Sequence, residues 1–117
     1  MYKNLISYRN ELKNNFVSRY KMLGIVVELI LSKEIFKKNI DLKKFLKDVL
    51  EIELKDYVLK SRTLIAAHCC RSLEKKEEKE LAIIKKNIYS FIVEEIEKLK
   101  ASENIKNEKN DFNGWLK

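Results

Sequence analysis

The sequence predicts an all-α fold: a compact bundle of about five to six helices that ends in a long C-terminal helix. Proline is absent and glycine occurs only twice in 117 residues, so almost nothing interrupts a helix. Apolar residues recur at steps of three or four along most of the chain, which is the period of one helix face. No run of residues has both the alternation and the partner run that a strand needs.

The first helix is predicted to begin near Asn4. Its apolar face consists of Leu5, Tyr8, Leu12, Phe16, Tyr20 and Leu23. Gly24 either ends this helix or lies inside a longer one, since a helical glycine costs only about 1 kcal/mol relative to alanine. Residues 25–31 are apolar on most sides and are expected in the core.

Polar residues divide the middle of the chain into short helices. Ser32 is a candidate N-cap for a short helix over residues 33–38, and Asp41 is one for a helix over residues 42–50. The inward face of the second of these helices consists of Leu42, Phe45, Leu46, Val49 and Leu50. A bend is expected at residues 51–53.

The C-terminal half is predicted to hold two further helices. Ser61 is a candidate N-cap for the first, and the charged stretch EKKEEKE at 74–80 marks its end or an exposed link. The last helix is expected over about residues 80–100, with a stripe of Leu81, Ile84, Ile88, Phe91, Ile92, Ile96 and Leu99. We therefore expect a single helical domain over residues 1–103 and a polar tail over 104–117. The stripe and the apolar residues of the tail also suggest a homodimer.

The net charge of +7 is concentrated in the N-terminal part. Residues 1–47 contain 11 Lys and Arg against 4 Asp and Glu, whereas residues 48–117 contain 14 of each. This asymmetry indicates a polyanionic partner, either nucleic acid or an acidic protein surface; a solvated lysine-rich surface is the alternative. The residues expected to contact phosphates are Lys37, Lys38, Lys43, Lys44, Lys47, Lys60, Arg62 and Arg71. Phe36 and Phe45 lie between these lysines at the spacing of core residues rather than of base-stacking platforms.

The start of the Ser61 helix is a second candidate anion site. The backbone N–H groups of Arg62 and Thr63, together with Lys60, would surround a phosphate there, and the alternative is an ordinary capped helix. Further along this helix, His68, Arg71 and Lys75 share one face, which either touches phosphate or is simply solvated.

Residues 67–70, AHCC, contain the only histidine and the only two cysteines. Neighbours on a helix diverge by about 100°, so His68 points away from both cysteines. A zinc site normally has four ligands and cysteines separated by two to four residues, and a redox pair is normally Cys-x-x-Cys at a helix start. A cysteine nucleophile needs a histidine within hydrogen-bond reach. We therefore expect two small buried cysteines and a non-catalytic binding protein without metal or cofactor.

The segment DFNGWLK, 111–117, contains Phe112, Trp115 and Leu116, which are costly to leave in water. They either pack on the domain or a neighbouring copy, or dock a partner, and a protein–protein interaction module is accordingly the alternative function. The chain has no apolar run of about 20 residues, no apolar signal region and no disulfide framework. These observations predict no membrane association and a cytoplasmic location.

Overall fold

Five α-helices make up the protein in a computed structural model that describes residues 2–14 and 17–115, with side chains as far as residue 102. They are α1 (Tyr2–Leu12), α2 (Arg19–Leu31), α3 (Asp41–Asp48), α4 (Arg62–Glu74) and α5 (Glu78–Trp115). A 3₁₀ turn, Val58–Lys60, precedes α4, and the described residues include no strand. The prediction of an all-α bundle with a long C-terminal helix is confirmed.

Two helix pairs form the core. Helix α1 packs against α5, and α2 packs against α4. The predicted stripe of α5 is buried at Leu81, Ile84, Ile88, Ile92 and Ile96, whereas Phe91 is half-buried and Leu99 is 37% exposed. The helix itself continues to Trp115, past the end expected near residue 100. No proline or glycine occurs between residues 79 and 113, so nothing in the backbone stops it earlier.

The first predicted helix is divided in two. Helix α1 ends at Leu12, and α2 begins after Ser18, whose side chain accepts a hydrogen bond from the backbone N–H of Lys21 at 3.2 Å. Because this N-cap restarts the helix, Tyr20 leaves the predicted face and is 80% exposed. Phe16 lies outside the described residues. Gly24 lies within α2.

The predicted short helix over residues 33–38 is wrong. Ser32 caps a single turn, in which its side chain accepts from the N–H of Ile35 at 3.4 Å and its carbonyl from that of Phe36 at 3.0 Å. A serine at that point offers the backbone an alternative to continued helix. Phe36 then packs with Phe45 and Phe91, the ring centroids lying 4.8 to 5.7 Å apart.

Helix α3 buries the face that the sequence predicts, but Asp41 is its first residue and not its N-cap, and the helix ends at Asp48. All five of its predicted inward residues are buried: Leu42, Phe45, Leu46, Val49 and Leu50. The expected bend occurs at Glu51, whose φ of 56° lies in the left-handed region. The side-chain amide of Asn87 donates to the Val49 carbonyl at 3.2 Å and joins α5 to the end of α3.

Helices α2 and α4 run antiparallel, as two arginines show. Arg19, the first residue of α2, donates to the carbonyls of Glu74 and Lys76 at the end of α4, at 2.6 and 3.1 Å. Arg62, the first residue of α4, donates to the carbonyls of Ile30 and Ser32 at the end of α2, at 2.9 and 3.3 Å. Each arginine therefore satisfies carbonyls that the other helix end leaves without an intrahelical partner.

None of the described helices is long and apolar enough to cross a membrane.

Candidate functional site

The AHCC segment lies in the middle of α4, where Cys69 is the residue of the four that enters the core. Cys69 is fully buried and Cys70 is half-buried, and both are free thiols. Burial, followed by the neighbouring Cys70, raises the pKa of the Cys69 thiol to about 12. Burial, followed by the charge of Glu74, also raises the pKa of Cys70. Since the thiolate is the nucleophile and the metal ligand, these environments suppress cysteine chemistry at neutral pH.

His68 is half-buried on the same helix, and Arg71 is exposed. Across the part of the chain that the structure describes, no group of three or more His, Cys, Asp or Glu side chains is arranged to hold a metal ion. Of the two cysteines predicted to be buried, Cys69 therefore adds a small apolar side chain to the core, whereas Cys70 is only partly buried against it.

The start of α4 is a capped helix whose arginine points inward. The Ser61 hydroxyl accepts from the backbone N–H of Leu64 at 3.3 Å, which confirms the predicted N-cap. Arg62 donates from Nε to the Asn39 side chain at 2.7 Å, and its other nitrogens donate to the carbonyls of Ile30, Ser32 and Phe36. The guanidinium thus uses four of its five donors on the end of α2 and the loop between α2 and α3, and this structure does not present it to a phosphate.

The four hydrogen bonds of Arg62, which form what we call the Arg62 clasp, bring three of the predicted lysines together: Lys37, Lys38 and Lys60. Lys37 and Lys38 lie in the chain between Phe36 and Asn39, the two loop residues that the arginine binds, and both lysines are exposed. Lys60, also exposed, lies two residues before Arg62. The clasp therefore holds Lys37 and Lys38 close to the start of α4, where Lys60 is located.

The three lysines of α3 line two different grooves. Lys43 and Lys47 line a groove that runs toward residues 52–59, where Glu53 and Asp56 are their acidic neighbours. Lys44 lies about 100° around the helix from Lys43 and lines a different groove, between α3 and α5. That second groove is mostly acidic, its charged lining residues being Asp41, Lys44, Asp48, Glu94, Glu95 and Lys98.

Arg71 lies far from this group. It is nine residues beyond Arg62 on α4, which corresponds to about 13 Å along a helix axis. The structure therefore groups Lys37, Lys38 and Lys60 around Arg62, whose guanidinium is directed inward, and places Lys43 and Lys47 in one groove of α3. Lys44 lines another groove, and Arg71 lies further along α4.

A basic groove between α1 and α5 is not among the sites that the sequence predicts. It is lined by Leu12, Lys13, Ala82, Lys85, Lys86, Tyr89 and Ser90, and has a volume of about 450 Å³. The Lys85 ammonium donates to the Asn14 carbonyl at 2.8 Å. The net charge of residues 48–117 is zero and does not show this groove, because the lysines of α5 are balanced by glutamates on the same helix. Charge counted turn by turn along α5 would have shown it.

The predicted partner-binding residues Phe112, Trp115 and Leu116 have side chains outside the described residues, so their role stays a prediction. No protein-family model, no curated protein sequence and no solved structure matches this chain.

Proposed function

We propose that this protein is a non-catalytic binding protein that holds a polyanion, nucleic acid above all, on lysines around the start of α4. Its contacts are Lys37, Lys38 and Lys60, with Lys43 and Lys47 extending the surface along α3. The observation that carries the proposal is the Arg62 clasp, which gathers lysines from the loop and from the 3₁₀ turn.

The state of these lysines supports the proposal. All five are exposed, and none forms an ion pair with another described residue. Their ammonium groups are therefore free to replace the counterions of a phosphate backbone, which is the sequence-independent part of nucleic-acid affinity. Arg62 acts here as a positioning residue, because it holds the loop that presents Lys37 and Lys38.

Lysine is also the reason to expect little base specificity. Specific readout of base edges usually relies on the planar, bidentate arginine side chain, and the one arginine at this surface is directed at backbone carbonyls. We therefore expect an affinity that falls steeply with salt and varies little between base sequences.

Fluorescence anisotropy tests the proposal, with labelled duplex DNA, single-stranded DNA and RNA at low and near-physiological salt. We expect a dissociation constant below about 1 µM at low salt for at least one of the three, and a steep loss of affinity as the salt concentration rises. The double variant Lys37→Glu, Lys38→Glu should weaken binding at least tenfold for all base sequences alike.

The matched control is Lys75→Glu, Lys79→Glu, which makes the same change in net charge at two exposed lysines beyond the far end of α4. Equal losses in the two double variants would reduce the interaction to net charge and would contradict a localised site. Binding that is weak at low salt and absent at physiological salt would contradict the proposal itself, and capture of an acidic protein instead would assign the lysines to the alternative partner.

A further inference from the structure

The turn before α4 has three faces, because its backbone repeats every three residues. The carbonyl of Lys55 accepts from the N–H of Val58 at 3.0 Å, and the carbonyl of Val58 accepts from that of Ser61 at 3.3 Å. Tyr57 has a φ of −66° and a ψ of −28°, which are the angles of a 3₁₀ turn. In such a turn, side chains three positions apart lie one above the other. Tyr57 and Lys60 therefore share one face.

The burial of the neighbouring residues shows where each face is directed. Val58 is 2% exposed and enters the core. Asp56 and Leu59, which are also three positions apart, line the groove toward α3. The third face is directed to solvent, since the Tyr57 ring is 61% exposed and Lys60 is exposed as well. An aromatic ring and an ammonium group that forms no ion pair with a described residue thus lie next to each other on the surface.

Two more large apolar side chains are exposed beside the Arg62 clasp. Leu31, which is 44% exposed, is the last residue of α2, the helix end that Arg62 binds. Ile40, which is 69% exposed, directly follows Asn39, whose side chain Arg62 binds. With Tyr57, three of the six large apolar side chains that are exposed among the described residues lie at this end of the α2–α4 pair. Single exposed apolar residues are ordinary, whereas a group of them beside lysines indicates a binding surface.

We propose that the polyanion held at the Arg62 clasp is a single-stranded nucleic acid, with one base stacked on the Tyr57 ring and the adjoining phosphate on Lys60. This inference rests on the proposed function and names its substrate class. Every base has a flat face that stacks on an aromatic ring, and single-strand sites combine such rings with basic side chains that follow the backbone. Ile40 and Leu31 offer apolar contacts to neighbouring bases.

A duplex would leave these apolar side chains without a partner. Its base faces are stacked inside the double helix, so that only base edges and the sugar–phosphate backbone are accessible from outside. Lys37, Lys38 and Lys60 can bind the phosphates of a duplex or of a single strand, and do not discriminate between them. The ring of Tyr57 does, because only an unpaired strand can place a base on it.

Tyr20 is an exposed tyrosine that lacks these surroundings. It is 80% exposed near the start of α2, eleven residues or roughly 16 Å along the helix axis from Leu31 at the clasp end. The residues three and four positions further along its helix are not lysines. The adjacent Lys21 forms an ion pair with Glu11 at 3.1 Å. Tyr20 is therefore the matched control for Tyr57.

Fluorescence anisotropy at near-physiological salt tests the inference with three labelled probes: a single-stranded DNA of mixed sequence, an RNA of the same sequence and the corresponding DNA duplex. We expect at least one of the single strands to bind tighter than the duplex, and the two single-stranded probes distinguish DNA from RNA. Tyr57→Ala should weaken single-strand binding about tenfold, as expected for the loss of one stacked base, and should leave duplex binding unchanged. Tyr57→Phe should bind like wild type, since the ring makes the stack.

Two controls separate stacking from charge. Tyr20→Ala should leave binding of all three probes unchanged. A DNA strand of the same length without bases keeps its phosphates, so Tyr57→Ala should make no difference to its binding. Lys60→Glu should weaken the binding of every probe and reduce its salt dependence, whereas Tyr57→Ala should keep the salt dependence of wild type, because it removes no phosphate contact.

The results that would overturn the inference differ from those that would overturn the proposed function. Wild-type affinity of Tyr57→Ala for both single strands would overturn the inference alone if Lys37→Glu, Lys38→Glu still weakens binding. Tighter binding of the duplex than of either single strand would do the same. A chain that binds none of the probes would overturn both. Cosedimentation with phosphatidylserine vesicles in place of oligonucleotide binding, abolished by Tyr57→Ala, would assign this surface to an anionic membrane instead.

Discussion

Helices α2 and α4 are built on the same plan, yet their starts are not equally well anchored. Each begins with a serine N-cap followed by an arginine that reaches the end of the other helix. Arg19 makes two hydrogen bonds, both to backbone carbonyls beside the α4–α5 link. Arg62 makes four and binds a whole loop as well as a helix end. The comparison shows that a serine N-cap followed by an arginine can do two things. It can cap the neighbouring helix end, as at Arg19, or it can also hold a loop in place, as at Arg62.

The correspondence extends into the core when residues are counted from the two serine caps. Met22 matches Ile65, Val26 matches Cys69, and all four are buried in the core. Gly24 matches Ala67, and both are exposed. Three experiments use these matched positions to break or sharpen the comparison.

The largest effect is expected from removing the clasp. Arg62→Ala should lower the free energy of unfolding by about 3 kcal/mol, since it leaves half-buried carbonyls without a donor, whereas Arg19→Ala should lower it by about 1 kcal/mol. Urea unfolding at neutral pH measures both. Arg62→Lys should fall between wild type and Arg62→Ala, because one ammonium cannot reproduce the fork of a guanidinium. Equal losses for Arg19→Ala and Arg62→Ala would remove the distinction between the two helix starts.

A smaller effect is expected at alkaline pH from Cys69, whose counterpart is Val26. Burial raises the pKa of this thiol from 9.0 to about 12. Below pH 9 the thiol is protonated in both states, but above it the unfolded chain loses the proton first, so the native state loses stability as pH rises toward 12. At pH 10 the loss is about 1.4 kcal/mol relative to pH 8.

Cys69→Val removes this titration, so its stability relative to wild type should improve by that amount between pH 8 and pH 10. Comparing the two chains cancels the lysines, which titrate in both. A difference that stays constant with pH would show that the thiol is not buried in solution.

The smallest effect is expected at Gly24, where α4 has Ala67. A β-carbon added at Gly24 would meet no atom within 4 Å. Gly24→Ala should therefore raise the free energy of unfolding by about 0.5–1 kcal/mol, and Ala67→Gly should lower it by a similar amount. Thermal unfolding of the two variants, compared with wild type, measures both changes. A loss of stability in Gly24→Ala would mean that α2 has a close neighbour at this position in solution.

Apolar periodicity predicted most of the fold because it reports burial directly. It identified the inward residues of α3 and the isoleucines of α5 correctly. It failed at Tyr20, since the apolar spacing continues through a break that Ser18 creates by capping a new helix. It failed again at residues 33–38, where the backbone bonds of Ser32 and the clasp of Arg62 hold a loop in place of a helix.

The candidate site was less predictable, because the positions of charged residues in the sequence do not show which way their side chains point in the fold. Arg62 has the sequence context of a phosphate ligand, and only the antiparallel packing of α2 and α4 turns its guanidinium inward. Lys43, Lys44 and Lys47 are close in sequence, yet Lys44 lines a different groove from the other two because of its position around α3. The basic groove needed α1 and α5, which are distant in the chain, to be brought together.

The pairing of the first helix with the last also affects how the chain folds as it is made. Leu5, Tyr8 and Leu12 are buried by a helix whose core stripe is complete only at Ile96. At about 5–20 residues per second, a ribosome needs roughly 4–17 s to extend the chain from residue 12 to residue 96. Throughout that interval the apolar side chains of α1 lack the helix that covers them, so the nascent N-terminal segment exposes apolar residues of the kind that chaperones bind.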